Sequence, residues 1–423
     1  MLLLIGFAAL VAGAVLLTVP DRAAAQEGLT GPTQGNPYSI RNRARPDYDP
    51  EGLPVGSFLV FPSFELGEVY DTNVFRTETN ESDDFITTYA PSINVVSDWN
   101  NHAVAFGATA NGGVFADNSD ENYFDYGFFA AGRLDVRRST RVGAFVSWDH
   151  LHEDRGSPED VNGDEPTEFD EFRTGVNATT TQGRFTIFLG GEYSHLTFEN
   201  VTAGGGTMMV NNADRDQSAV EGTARVDYNV SPGYAIFVLG SYIDVSYDNT
   251  PDDAGRVRDN NGWRADAGVA FEITETFSGD VYGGYIQRYY DDPTFADTDS
   301  FDLGGDIYWS ITPLTTARLV LERSFVETTQ AGASSILETS GVIEVEHELL
   351  RNVILGANVG LTNFDYEGIT REDDVWGFGV DGVYLINRNF YAGGRAQYTN
   401  RDSNAPTESF EDIEVGVFVG AQM

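Results

Sequence analysis

His150 and His152 stand two residues apart, a spacing that places both imidazoles on one face of a strand, where they could share a metal ion. No third ligand is evident nearby, so they read more simply as interfacial or loop-contacting side chains. Ser194 and His195 supply a nucleophile and a base. As neighbours in a strand they point to opposite faces, which is the wrong geometry for a hydrolase. No catalytic residue and no cofactor is therefore expected. Asp160, Asn162, Asp164 and Glu165 are hard oxygen donors in the most acidic link of the chain and suit loose calcium binding. Their spacing does not complete an EF-hand loop, and the simpler reading is a hydrated rim. Arg41, Arg43 and Arg45 could meet an anionic lipid head group or a periplasmic partner, or only be solvated.

Charge narrows the field. The 423 residues carry 66 acidic against 25 basic side chains, a net charge of −41, and every basic residue is arginine. Phosphate would be repelled across such a surface, so nucleic acid is excluded as a partner. The absence of cysteine removes disulfides, thiolate zinc sites and iron–sulfur clusters. Disorder is a poor explanation of the charge, because the hydrophobic fraction is 41% with 28 Phe and 20 Tyr. Residues 1–25 read as a signal peptide for the Sec pathway, an apolar run from Leu2 to Leu17 ending before Ala23-Ala24-Ala25. Residues 26–54 read as an extended periplasmic tail rich in Gly, Pro, Asn and Arg, and 55–423 as one domain.

The elements that position the charged residues are strands. From Val55 the chain alternates apolar with polar or small residues over segments of ten or more, the period of a sheet with two unlike faces. Trp263, Ala265, Ala267, Val269, Phe271 and Ile273 oppose Arg264, Asp266, Gly268, Ala270 and Glu272. Eighteen such segments follow one another, starting near Val55, Phe85, Ala103, Tyr123, Val142, Phe172, Phe185, Ser218, Tyr234, Trp263, Phe277, Phe301, Ala317, Ile336, Val353, Val375, Phe390 and Ile413. Their connections alternate strictly between long and short. Most of the negative charge falls on the long links, and the short turns are nearly neutral. This is the build of a closed antiparallel transmembrane β-barrel, all-β, with short periplasmic turns and long acidic extracellular loops.

The polar face of these strands predicts the lumen. It carries Arg133, Arg173, Arg225, Arg264, Arg288, Arg318 and Arg395, with Asp125, Glu221, Asp280, Asp306, Glu344 and Asp381. Tyr282, Tyr308 and Tyr242 are expected beside them as flat surfaces on which sugar rings could slide. Aromatics at the ends of the apolar stripe, Tyr126, Trp148, Tyr228, Phe277, Trp309 and Trp376, fit interfacial girdles. An excess of acid over base predicts mild cation preference. No link exceeds about twenty residues, so a large constricting loop is not obvious, and a barrel of this width leaves an aqueous channel unless loops or side chains fill it.

The phrases Arg45-Pro46-Asp47-Tyr48-Asp49-Pro50, Gly56-Ser57-Phe58-Leu59-Val60-Phe61-Pro62-Ser63-Phe64 and Tyr70-Asp71-Thr72-Asn73-Val74-Phe75-Arg76-Thr77 resemble the outer-membrane family described as putative β-barrel porin 2, and the strand rhythm continues the likeness to the C-terminus. The resemblance implies an outer-membrane pore associated with surface polysaccharide systems. On that basis export of an exopolysaccharide is the expected function, with a general diffusion porin and a structural or adhesion barrel as alternatives. The implied partners are outer-membrane lipid and lipopolysaccharide, the barrel-assembly machinery and periplasmic polysaccharide-export proteins.

Overall fold

The computed structural model describes residues 39–273 and 276–423; the expected signal peptide lies outside them. Leu53–Val55 forms a short strand that turns back on Phe58. Eighteen long strands follow: β1 (Phe58–Asp71), β2 (Asp84–Ser97), β3 (Ala103–Phe115), β4 (Tyr123–Arg137), β5 (Thr140–His152), β6 (Glu168–Gln182), β7 (Phe185–Phe198), β8 (Gln217–Ser231) and β9 (Tyr234–Tyr247). The second half comprises β10 (Asn260–Ile273), β11 (Phe277–Tyr290), β12 (Thr298–Thr312), β13 (Thr315–Val326), β14 (Ser335–Leu350), β15 (Val353–Glu367), β16 (Glu372–Leu385), β17 (Phe390–Ser403) and β18 (Phe410–Gln422). Each strand pairs antiparallel with its sequence neighbours, and β1 pairs with β18 from Ser63–Gln422 to Asp71–Glu414, which closes the barrel.

Closure satisfies the backbone. An unpaired amide facing hydrocarbon costs several kcal/mol, so a spanning sheet with two free edges is not viable. The outward face then needs apolar side chains, and it has them: Phe301, Leu303, Trp309, Trp376, Phe378 and Val417 all point away from the lumen and are well exposed. Register fixes the alternation, since a slip of one residue would exchange the two faces. Tyr242 departs from expectation. It pairs with Trp263 on the outward face and is 52% exposed, so it belongs to the lipid-facing aromatics and not to the pore.

The two ends differ as the link lengths predict. At the short-turn end, Pro232-Gly233 joins β8 to β9, with Gly233 at φ +78°, a conformation that disfavours side chains. At the other end some long links are shorter than the rest because their strands extend outward, those after β15 and β17 spanning only 368–371 and 404–409.

One seam is irregular. β12 and β13 are laddered only from Gly305–Leu321 to Thr312–Thr315, and residues 298–304 and 322–326 have no partner across that seam. β12 stays paired with β11 up to Thr298, and β13 with β14 up to Val326. The upper part of β13 leans into the barrel. Phe325, outward by parity, is buried against Ile286 and Leu337 instead.

Candidate functional site

The charged residues of the inward face form a connected lining. Arg133 pairs with Asp135 at 3.3 Å and Arg173 with Glu192 at 2.5 Å. Arg225 spans Asp227 at 2.8 Å and Asp280 at 2.6 Å. Arg264 pairs with Asp302 and approaches Asp266 at 3.4 Å. Arg288 faces Glu327 at 3.8 Å, and Arg318 lies between Asp306 at 3.0 Å and Glu344 at 3.9 Å. Arg395 is in register with Asp381 across β16 and β17. Arg173–Glu192, Arg318–Asp306 and Arg318–Glu344 join adjacent strands. Arg133–Asp135, Arg225–Asp227 and Arg264–Asp266 lie along one strand, and Arg225–Asp280, Arg264–Asp302 and Arg288–Glu327 reach past at least one intervening strand. Tyr282 and Tyr308 also face inward, but their rings are covered: the Arg264 guanidinium lies 5.7 Å from the Tyr282 centroid, and that of Arg318 5.0 Å from Tyr308. Tyr282 is buried and offers no free face to a sliding sugar, and Tyr308 is half-buried with Arg318 over one face.

The bore is not clear. The link 153–167 leaves β5 and crosses to the opposite wall, with several arginines holding it. Arg155 binds Glu121 at 2.6 Å, Arg215 binds Glu153 at 2.7 Å, and Arg401 donates to the Gly156 carbonyl at 2.9 Å. At the far side the Tyr366 hydroxyl donates to the Pro158 carbonyl at 3.2 Å. The Thr329 backbone N–H donates to Glu159 at 3.0 Å, and the Thr328 hydroxyl bonds the same carboxylate. Seven residues reach at most about 25 Å, so the link spans the opening because the inward lean of β13 brings residues 327–334 toward it. Burial raises the Glu153 carboxyl above its ordinary range, with Arg215 opposing that shift. The sequence offered one signal, this link's exceptional acidity. What it hid was that Arg215 from another link meets Glu153, that the link's own Arg155 reaches Glu121, and that Arg401 of β17 holds the Gly156 carbonyl.

The other end is also occupied. Residues 39–50 run in turns and are not extended as expected for the tail; they lie against the inward face of β13 to β16. The Ser39 hydroxyl donates to Glu346 at 2.7 Å, and Ile40 is fully buried beside Thr316. Arg41 bridges Glu346 at 3.2 Å and Asp381 at 2.6 Å. Arg45, 2% exposed, pairs with Glu348 at 3.2 Å, and Arg43 donates to the Pro313 carbonyl. Two of the three arginines, Arg41 and Arg45, thus neutralise wall carboxylates, and Arg43 stays half-buried at the rim.

The remaining candidates are dispersed. His150 contacts Asp170 and His152 contacts Asp125, each at 2.8 Å, so each imidazole has its own carboxylate. Ser194 is buried inward while His195 bonds Ser218 at 2.9 Å. The calcium candidates do not converge. Asp164 accepts from the backbone of Gly205 at 2.9 Å and Gly206 at 2.6 Å, which hold its carboxyl below the usual range. Asp160 accepts from the Gly156 and Asn162 amides, and neither Asn162 nor Glu165 joins a shared centre. Among the described residues, the three acidic side chains that do converge within 4.8 Å of one another as a group are Asp71, Asp412 and Glu414. The Arg76 guanidinium already sits among them, at 3.0, 3.2 and 2.7 Å.

The family model described as putative beta-barrel porin 2 matches residues 45–423. Solved structures similar to the chain include the outer membrane protein OpdK from Pseudomonas aeruginosa, at 12% identity and a TM-score of 0.45, covering 86% of this chain and 99% of that one. OccK2 (OpdF) from Pseudomonas aeruginosa is 7% identical with a TM-score of 0.46, covering 87% and 98%. A BenF-like porin from Pseudomonas fluorescens Pf-5 is 10% identical with a TM-score of 0.45, covering 86% and 99%. No curated protein sequence matches the chain.

Proposed function

The chain belongs to the putative β-barrel porin 2 family and is an outer-membrane β-barrel porin, and from that premise we propose that it passes small hydrated solutes, cations ahead of anions, and is not a conduit for a polymer. One observation carries this reading: the link 153–167 lies across the bore and is fastened to the far wall through Pro158 and Glu159. A polysaccharide would require that link and residues 39–50 to leave the lumen together. A small solute needs only the space beside them.

The preference for cations follows from the balance of charge. Arg133, Arg173, Arg225, Arg264, Arg288 and Arg318 are each met by a carboxylate, whereas Glu221, Glu322 and Glu338 face the lumen with no ion pair among the described residues. Unbalanced acid on a low-dielectric wall concentrates cations. The test is single-channel recording of purified protein in a planar bilayer, with reversal potentials under a potassium chloride gradient. Steps of small conductance with a cation-selective reversal potential are expected. Silence would overturn the pore reading, and anion selectivity would overturn the charge argument. A deletion strain that makes a surface polymer but cannot place it outside the cell would restore the export reading. In that case periplasmic export proteins become the partners to seek.

A further inference from the structure

The unpaired seam between β12 and β13 lies beside an apolar cavity. Leu196, Ile243, Val245, Ile286, Phe325 and Val326 line a space on the lumen side of β7 to β11, bounded by Arg264, Arg288 and Glu327. Such a lining is unusual in a lumen otherwise faced with charge. Phe325 and Val326 belong both to this cavity and to the stretch of β13 that has left its partner, so cavity and seam are continuous.

The seam is at membrane depth. Trp309 marks the lower girdle on the outward face of β12, and Phe301, 66% exposed, points to lipid near the seam's middle. Eight residues of a tilted strand rise about 20 Å along the membrane normal, and the apolar band of such barrels is about 25 Å tall. The gap therefore opens in the outer leaflet. Bare strand edges are not tolerated in hydrocarbon unless something covers them or they line a cavity. Here the only side chain seen to bridge the gap among the described residues is that of Arg264, which binds Asp302 on β12 and donates to the Arg323 carbonyl on β13 at 3.0 Å. One ion pair holds the two edges like a latch.

We propose that this seam is a lateral portal through which an amphiphile of the outer leaflet reaches the cavity. Its apolar tail lies against Ile243, Val245, Ile286 and Phe325. Its head is uncharged or cationic, because Glu221 lines the cavity and Glu322 and Glu338 face the lumen beside it, none with an ion pair among the described residues. The tail's route is between Leu303 and Leu321, whose side chains face lipid at the foot of the gap.

The chain has no cysteine, so single probes can be placed cleanly. Ser324→Cys, on the cavity wall, and Thr223→Cys, inward on β8 and away from the seam, are labelled with bimane in liposomes. Quenching by phosphatidylcholine carrying a nitroxide at carbon 5 should be at least twofold stronger at position 324 than at position 223, and a soluble nitroxide should reach both. Asp302→Asn, which weakens the latch, should increase the lipid-borne quenching further. Decyltrimethylammonium should slow maleimide modification of S324C at least twofold more than decanoate does. Equal lipid-borne quenching at the two positions, or no protection by the ammonium amphiphile, overturns the portal. Conductance of the same labelled proteins reads the porin function separately, so failure of one does not mimic failure of the other.

Discussion

Arg215 and Glu153 are 5% and 4% exposed and meet in a bidentate pair where two long links touch. Removing one partner of such a pair strands the other charge, which typically costs about 3–5 kcal/mol when burial is deep. Arg215→Ala should therefore release the link 153–167 from its base, and single-channel conductance should rise with more frequent flicker. Cold detergent-gel mobility, which reports the closed barrel, should not change. Replacing both partners, as in Glu153→Gln with Arg215→Met, should restore much of the wild-type trace, because no buried charge is then left alone. Acid acts on a second pair of links. Asp292 accepts from the Thr294 hydroxyl and amide and from the Val257 amide, which hold its carboxyl down at about 2. A depressed folded-state value means the contribution is fully present above the unfolded value near 4 and lost as pH falls toward 2. Amide exchange in 291–297 and 252–258, measured in that window, should accelerate in the wild type. Asp292→Asn should show weakened protection at neutral pH and little further change on acidification.

Among the elements, the strands were the legible part. Alternation placed Tyr123, Phe185, Tyr234, Phe277, Val353 and Phe390 at strand starts, and the strands begin there. A transmembrane wall must satisfy one rule, apolar outward and polar inward, at every second residue, and the sequence repeats that rule eighteen times. Tyr242 was misplaced because a tyrosine suits both a lumen and a lipid interface. The bend of β13 was hidden for a similar reason: Phe325 obeys outward parity, and nothing local says that its strand has left the wall. The link 153–167 and the arginines at 41 and 45 defeated the sequence reading because their partners lie far along the chain, Arg41 and Asp381 being 340 residues apart. Residues 39–50 should behave as a removable stopper. Deleting residues 39–50 should raise single-channel conductance several-fold and strengthen cation preference, because Glu346, Glu348 and Asp381 lose their arginine partners. Arg41→Ala with Arg45→Ala should reproduce part of the rise. No increase would mean that the narrow point lies at the link 153–167 alone.

For the molecule as a whole, the net charge of −41 has a location. The long acidic links crowd one end, the end that outer-membrane barrels generally turn to the outside of the cell, and the lining below them is largely paired. Such a rim acts at a distance set by screening, about 10 Å at 0.1 M salt and about 3 Å at 1 M. Cation preference measured from reversal potentials should thus fall clearly between those two concentrations. A preference that is independent of salt would instead assign selectivity to the unpaired lumen carboxylates, where screening reaches poorly. The two contributions can be told apart because Glu221→Gln and Glu338→Gln should alter only the salt-independent part.

The seating of residues 39–50 also bears on how the molecule is made. Those residues are synthesised before any strand, yet the wall that receives them, β13 to β16, belongs to the last third of the chain. The stopper cannot dock until nearly the whole sheet exists. Trypsin cuts here only after arginine, and two of its sites, Arg41 and Arg43, fall within this segment, while Pro46 protects the bond after Arg45. Their loss of susceptibility gives a clock for the final step of assembly, read from the chain's beginning but set by its end.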